Sequence, residues 1–251
     1  MLKKIIELIK NPSRYYDKVI PYIKSKFFRT LRSFYEFFGI DKLSKPYPGH
    51  DKLKKYFNYE NGFFVECGGN DGYVHDPTYY FEKIKKWNGI IVEPLPIYSL
   101  CKLDRNKSVV YNYALVADDF EGGKISLIDC NLMSVVEDVE DSEDWALIGA
   151  KMMNIKPKKI QVPTITIQNI LDNFFSTHGQ RNIDLMVIDV EGYEVEVLKG
   201  MNFDKYRPKN LLIEIHGEDR KTQVESLIEK YYDFVDQITI DDRLYSLKSD
   251  S

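Results

Sequence analysis

The chain has 251 residues, of which 43% are hydrophobic, and a net charge of −4 at neutral pH. This length allows one sizeable α/β domain with an appendage or two small domains, and the apolar content excludes wholesale disorder. The negative charge argues against nucleic acid as the main partner, and no apolar run in the sequence reaches the length of a membrane span. Three cysteines without a Cys-x-x-Cys spacing match no zinc pattern and predict buried, reduced thiols in a cytoplasmic protein.

The first 50 residues differ from the rest of the chain in charge. They contain 11 Lys and Arg against 4 Asp and Glu, a balance of +7, so the remaining residues carry −11. Residues 1–45 have apolar residues at helical spacing, and residues 24–38 mix basic with aromatic side chains. We predict a helical arm, residues 1–50, that packs through its aromatic stripe on a main domain, residues 51–251. The alternatives are peripheral contact of residues 1–45 with an anionic membrane and docking of the arm on a partner enzyme.

The main domain contains an apolar run that ends abruptly in a glycine-rich turn, residues 63–72. A buried parallel strand ends in this way beside a nucleotide-type ligand. Gly68 and Gly72 let the backbone turn tightly and approach a ligand closely. The spacing differs from the dinucleotide-binding pattern, which requires glycines where Asn70 and Tyr73 stand. The turn therefore indicates a different nucleotide-type ligand.

The charge of this turn indicates a cationic ligand. Glu66 and Asp71 lie in it without a Lys or Arg, so the turn would repel a pyrophosphate, whereas a sulfonium suits it. About 20 residues further on, a second apolar strand ends at Glu93 and Pro94, which is the usual spacing for a carboxylate that accepts hydrogen bonds from a ribose diol. An adenosine together with a cation indicates S-adenosylmethionine. The alternative for both segments is a core strand followed by an ordinary turn.

Helices and strands alternate along the main domain. In chain order we predict helix 51–59, strand 63–67, helix 77–86 with Asp76 as N-cap, strand 89–93, helix 96–103, strand 108–115, a short strand 124–128, helix 145–152, a short strand 160–163, helix 166–175, strand 183–189, helix 195–199 closed by Gly200, strand 211–216, helix 220–231 and a hairpin of 234–240 with 243–247. The helix at 145–152 is either a lid over the substrate or an ordinary surface excursion.

The order of these elements defines the predicted fold class. Strands that alternate with helices form a doubly wound parallel sheet, and a terminal hairpin makes its last strand antiparallel to the one before. A mixed, Rossmann-like α/β sheet that ends in this way is the arrangement of class I methyltransferases. A dinucleotide-binding domain would instead end in parallel strands.

Polar residues at the ends of two later strands are candidates for catalysis. Asp189 and Glu191 follow the fourth strand of the sheet, and Glu214 and His216 end the fifth. In this topology their ends share one crevice with the glycine turn. The alternatives are an N-cap role for Asp189, a first-turn position for Glu191 in the following helix, and a loop position without function for His216.

Five segments resemble the FkbM-type S-adenosylmethionine-dependent methyltransferases: residues 64–72, 92–94, 112–115, 162–166 and 184–200. The resemblance covers about residues 62–216 and leaves out the N-terminal arm. It implies a class I methyltransferase that methylates hydroxyls of sugars, glycans or secondary metabolites. Val187, Gln168 and Asn169 depart from common family residues, which leaves the subgroup and hence the acceptor open.

The site assignment follows from the strand ends and the resemblance together. The predicted cofactor-binding residues are Glu66, Gly68, Asn70, Asp71, Gly72, Glu93, Pro94, Asn112, Ala114 and Asp118. The predicted catalytic residues are Asp189, Glu191 and His216, with His216 or Asp189 as the base that removes the proton of the acceptor hydroxyl. If a divalent ion such as Mg²⁺ takes part, its expected ligands are Asp189 with Glu214 or His216.

Two other functions remain open from the sequence. One is an NAD-dependent oxidoreductase, which the missing third glycine and the terminal hairpin oppose. The other is a catalytically silent methyltransferase fold that docks through its basic arm. The favoured interpretation is an O-methyltransferase in the cytoplasm whose acceptor is a carbohydrate or another small molecule with a hydroxyl group.

Overall fold

A computed structural model describes residues 28–38, 40–130, 133–137, 142–153 and 155–249. The chain divides into two compact units, Met1–Lys45 and Pro46–Ser251. The described part of the first unit holds an α-helix over residues 28–37 and a 3-10 helix, Asp41–Leu43. The predicted helical segments before residue 28 lie outside the described residues. No helix in the described ranges is both long enough and apolar enough to span a membrane.

The second unit is built from two sheets. Its strands, numbered in chain order, are β1 (Phe63–Cys67), β2 (Asn88–Val92), β3 (Val109–Tyr111), β4 (Ala114–Leu115), β5 (Lys124–Asp129), β6 (Val135–Val136), β7 (Lys158–Ile165), β8 (Leu185–Ile188), β9 (Asn210–Glu214), β10 (Tyr232–Gln237) and β11 (Asp242–Leu247). The larger sheet has seven strands in the order β10-β11-β9-β8-β1-β2-β3. Its strands are parallel except β11, which runs antiparallel to both β9 and β10. This confirms the predicted doubly wound mixed sheet with a C-terminal hairpin.

Helices cover both faces of this sheet. They are His50–Tyr56, Tyr79–Lys83, Tyr98–Asp104, Ile167–His178, Glu194–Lys199 and Glu218–Ile228. Every residue of β1 and β8 is buried, which explains their continuous apolar runs, because a parallel strand between two helical layers has no polar face. Successive residues enter opposite cores: Val65 and Met186 pack in one, and Phe64 and Val187 in the other.

The smaller sheet, in the order β4-β7-β5-β6, corrects the predicted strand 108–115. That segment divides at Asn112, whose side-chain Nδ2 donates to the carbonyl oxygens of Glu93 and Pro94 at 2.8 and 2.9 Å. These bonds turn the chain out of the large sheet, so β4 pairs with β7 instead. Strand β7 is also longer than predicted because residues 158–163 pair with β5 and residues 164–165 pair with β4.

Two helices differ from the prediction in where they begin, the first two residues later and the second one residue earlier. Asp76 does not cap a helix at residue 77. Its Oδ1 accepts the N–H groups of Thr78 and Tyr79 at 2.9 and 2.7 Å, and the helix begins at Tyr79. The helix after β8 begins at Glu194 with Tyr193 at its N-cap position. The alternatives of an N-cap role for Asp189 and a first-turn position for Glu191 are therefore excluded.

Candidate active site

A cavity of about 300 Å³ opens at the carboxyl ends of β1, β2, β8 and β9. Ligands of doubly wound sheets bind at this edge, and the volume lies at the lower end of the range for small-molecule sites. The lining includes six of the ten predicted cofactor residues and the three acidic residues predicted at the ends of β8 and β9. They are Glu66, Gly68, Asn70, Glu93, Pro94, Ala114, Asp189, Glu191 and Glu214.

The glycine turn after β1 fits closely against the end of β8. Gly68 has a φ of +96°, and a Cβ at this position would lie 1.7 Å from the carbonyl oxygen of Asp189. Both the backbone conformation and the close approach therefore require glycine. Asn70 lies two residues further along the turn. Its side-chain Oδ1 is buried and has no hydrogen-bond partner among the described residues. Because Asn70 lines the cavity, this atom is available to a ligand.

Glu93 lies at the end of β2 with only 4% of its surface exposed. Its Oε2 accepts the N–H of Asn70 at 2.7 Å and its Oε1 accepts the N–H of Leu95 at 2.8 Å. Burial raises the pKa of Glu93 to about 7, although the two N–H groups favour the ionised form. Each oxygen keeps lone-pair capacity for a further donor, so the carboxylate can accept two ligand hydroxyls.

Three carboxyl groups gather where β8 and β9 end. Burial, together with the charges of Glu214 and Glu191, raises the pKa of Asp189 well above its ordinary value. Burial and the charge of Glu214 raise the pKa of Glu191 to about 8. Burial also disfavours the ionised form of Glu214, but hydrogen bonds from His216 and Asp189 outweigh it and lower its pKa. The cluster therefore combines Glu214, which favours its ionised form, with two neighbouring carboxyl groups that favour their protonated forms.

His216 does not fit the predicted role of a base. It is not among the described residues that line the cavity. Its Nε2 lies 3.4 Å from Oε2 of Glu214, and its Nδ1 lies 3.3 Å from Oδ1 of Asp241. The hydrogen bond to Glu214, followed by the charges of both carboxylates, raises the pKa of His216 to about 9. A histidine that is protonated at neutral pH cannot take up a proton there.

The predicted metal ligands are only partly brought together. Glu191, Glu214 and His216 offer three ligand atoms that all lie within 4.8 Å of one another, whereas the prediction had Asp189 in place of Glu191. The donor set of two carboxylates and an imidazole suits a divalent ion chemically. His216 would first have to lose its proton, so binding of an ion here would compete with the ion pairs just described.

Two predicted cofactor residues in the glycine turn have internal roles. The cavity lining, as drawn from the described residues, includes neither Asp71 nor Gly72. Oδ1 of Asp71 accepts the N–H groups of Tyr73 and Val74, both at 2.9 Å. Gly72 has a φ of +78°, and a Cβ there would lie 2.8 Å from the side chain of Arg105. Both residues shape the turn.

Of the predicted cofactor residues Asn112, Ala114 and Asp118, the first and last are also outside the cavity lining of the described residues. Asn112 acts on the backbone at Glu93 and Pro94 through the hydrogen bonds given above. Asp118 is exposed on the surface. Ala114 alone of the three lines the cavity. Its strand is β4, which the small sheet holds against β7.

Arg105 is a charged residue of the site that the sequence reasoning missed. It is fully buried, and its Nη1 lies 3.3 Å from Glu66 and also binds Asp76, while its Nε donates to Glu82 at 3.0 Å. Glu66 and Asp76 line the cavity. Burial and the charge of Asp76 raise the pKa of Glu66 despite the arginine. The acidic residues Glu66 and Asp76 are therefore paired with a buried cation, Arg105, which lies far from Glu66 in the sequence.

The other missed residues form an apolar wall. The small sheet contributes Leu127 and Val136, and Tyr193 faces the cavity from the segment after β8. Met133 completes the wall and packs against the helix Ser142–Met153, because a Cβ on Gly149 would meet the Cβ of Met133 at 2.6 Å. The helix therefore supports one wall of the cavity. Its role as a moving lid stays a prediction.

The strand order and the position of the cavity define the class of protein. An antiparallel β11 between β9 and β10, a glycine turn after β1 and a carboxylate after β2 constitute the class I methyltransferase arrangement. Residues 66–246 match the methyltransferase FkbM domain, and the chain belongs to this family. It is therefore a methyltransferase by family. This excludes the NAD-dependent oxidoreductase that the sequence left open.

Comparison with solved structures gives only distant similarity. The fibrillarin pre-rRNA processing protein of Methanococcus jannaschii has 11% identity and a TM-score of 0.40, over 80% of this chain and 76% of that one. A SAM-dependent methyltransferase from Aquifex aeolicus has 11% identity and a TM-score of 0.38, over 83% and 94%. The 1,6-didemethyltoxoflavin-N1-methyltransferase of Burkholderia thailandensis has 8% identity and a TM-score of 0.38, over 91% of each chain. No curated protein matches the chain.

Proposed function

We propose that the protein transfers a methyl group from S-adenosylmethionine to a hydroxyl group of a sugar, a glycan or a secondary metabolite. The observation that carries the proposal is a single cavity with Glu93 beside the glycine turn and Glu191 and Glu214 at the ends of β8 and β9. Membership of the methyltransferase FkbM domain family supports the reaction type. The acceptor class rests on the family resemblance of the sequence.

The cavity residues fit S-adenosylmethionine. Glu93 can accept hydrogen bonds from both ribose hydroxyls, and the unpaired Oδ1 of Asn70 can accept another from the cofactor. Glu214 lines the cavity with a lowered pKa, and its carboxylate attracts a sulfonium. When bound, the cofactor supplies an electrophilic methyl group: the acceptor O–C bond forms, the C–S bond breaks, S-adenosylhomocysteine leaves, and the hydroxyl proton passes to the protein.

Glu191 is the residue we assign to accept that proton. Its pKa of about 8, raised first by burial and then by Glu214, lies in the range that suits a base near neutral pH. It has a φ of 52°, an uncommon conformation for a residue other than glycine, and it is followed by Gly192 at 96°. Such backbone conformations concentrate at functional sites. The assignment replaces His216, which is absent from the described lining of the cavity and has a higher pKa of about 9, and Asp189, whose pKa is raised well above its ordinary value.

The experiment measures transfer of a labelled methyl group from S-adenosylmethionine to a panel of sugars, sugar nucleotides and glycans. Glu191→Gln should lower kcat roughly 10²–10⁴-fold with little change in cofactor affinity, because the base acts on the acceptor alone. Glu218→Gln is the matched control, since that carboxylate is 85% exposed on the helix that follows β9. For the wild type, kcat should rise with pH through about 8.

Three outcomes would contradict parts of the proposal. Tight cofactor binding without transfer to any acceptor would favour the silent scaffold. Label recovered on nitrogen would exclude O-methylation. Full turnover in Glu191→Gln would exclude Glu191 as the base.

A separate assay tests for a divalent ion at Glu191, Glu214 and His216. Activity that depends on the ion should disappear when a chelator is added and return when Mg²⁺ is added back.

A further inference from the structure

The helix over residues 28–37 ends in an exposed aromatic patch, formed by Phe34, Phe37 and Phe38. Their surfaces are exposed by 59%, 84% and 60%, and Ile40 beside them by 44%. The ring centres of Phe34 and Phe38 lie 4.9 Å apart, and those of Phe37 and Phe38 lie 5.2 Å apart. A contiguous exposed apolar surface of this kind marks an interaction site.

Residues 28–40 contain two bases, Arg29 and Arg32, and a charge balance of +1, although Arg32 is buried. Residues 28–40 contain one acid, Glu36, which lies 3.8 Å from Arg32 of the same helix and accepts the hydroxyl of Ser44 at 3.2 Å. The first 50 residues carry a balance of +7, whereas the rest of the chain carries −11. An anionic surface would therefore attract the arm and repel the remainder of the protein.

We propose that the aromatic patch docks on the surface of an anionic lipid bilayer. Aromatic side chains enter the boundary between head groups and acyl chains, while basic residues remain with the anionic head groups. The charge asymmetry of the chain favours an anionic bilayer over an acidic or neutral protein partner. A bilayer presents negative charge over a wide area, which the basic arm complements. The contact is peripheral, since the described helices include no membrane-spanning candidate.

Sedimentation of the full chain with lipid vesicles tests the proposal. The protein should pellet with vesicles of phosphatidylcholine and phosphatidylglycerol at low salt, stay in the supernatant with phosphatidylcholine alone, and be released as salt is raised. The double variant Phe37→Ser/Phe38→Ser should lower the partition coefficient roughly 100-fold, about tenfold for each buried ring. Ile240→Ser is the control, because it removes an apolar side chain that is 90% exposed in the β10–β11 hairpin.

Other results would overturn the proposal. These are a wild-type protein that stays in the supernatant at low salt, equal binding to neutral vesicles, and equal binding by the double variant. Self-association through the patch, seen as a larger species that the double variant abolishes, would overturn it if vesicles are not bound. Circular dichroism of both variants, matched to the wild type, excludes a folding defect as the cause of lost binding.

Discussion

Glu93 is positioned before any ligand arrives. The N–H groups of Asn70 and Leu95 hold its two oxygens, and the glycine turn that carries Asn70 is itself fixed against β8 by the close approach at Gly68. A carboxylate prepared in this way loses little freedom when it binds a ribose, which favours affinity. The ribose subsite therefore depends on β1, β2 and β8 together.

The carboxyl groups of the cavity should make the ligand-free protein less stable at higher pH. Folding raises the pKa of Glu93 to about 7 and that of Glu191 to about 8, from an ordinary value near 4.5. Such groups stabilise the fold fully below pH 4.5, and this contribution is lost as pH rises to about 8. The midpoint of thermal unfolding should fall over this interval, and less so in Glu191→Gln. A midpoint that rises from pH 5 to 8 would contradict the pKa directions.

At the scale of elements, two variants separate the stability cost of crowding the glycine turn against β8 from the cost of a positive-φ backbone. Gly68→Ala places a Cβ 1.7 Å from the carbonyl oxygen of Asp189 at a φ of +96°. Gly179→Ala has a similar φ of +80°, but its Cβ meets no described atom within 4 Å. The control should cost about 1–3 kcal/mol for its positive-φ backbone conformation alone, and Gly68→Ala should cost clearly more. Equal losses in urea denaturation would show that the close approach is unimportant.

Arg105 links the glycine turn to two neighbouring helices through Glu66, Asp76 and Glu82. Arg105→Met would leave these carboxyl groups buried without their cation, and we expect a loss of about 3–5 kcal/mol in the free energy of unfolding. Lys86→Met is the control, because its pair with Glu60 is 62% and 50% exposed and should contribute less than about 1 kcal/mol. Denaturant titration measures both. A loss no greater than that of the control would mean that the buried carboxyl groups hold protons and need no arginine.

At the scale of the whole molecule, the sequence predicted the large sheet well and the small sheet poorly. Buried parallel strands such as β1 and β8 have continuous apolar runs, so their positions and the residues at their ends were readable. Strand β4 has two residues and exists only through its pairing with β7, which no local pattern specifies. Strand pairing between distant segments depends on tertiary context rather than propensity.

The candidate site also divides into residues that the sequence could identify and residues that it could not. Glu93 and Glu191 could be found because they follow apolar strands in the sequence. Arg105 could not, since it reaches Glu66 from 39 residues away. The surroundings of His216 were not readable either, because the hairpin brings Asp241 to its Nδ1, and this second carboxylate adds to Glu214 in raising the pKa of the ring. Long-range ion pairs decide charge states that sequence position cannot indicate.

The central claim is that S-adenosylmethionine binds in the cavity with its ribose on Glu93, and calorimetric titration tests it most directly. The wild type should bind S-adenosylmethionine and not NAD. Glu93→Ala should weaken binding by about 1.5–3 kcal/mol for each lost hydrogen bond to the carboxylate. Asp118→Asn should bind as the wild type does, because Asp118 is exposed outside the cavity lining of the described residues. No heat of binding with S-adenosylmethionine, or unchanged affinity in Glu93→Ala, would contradict the claim.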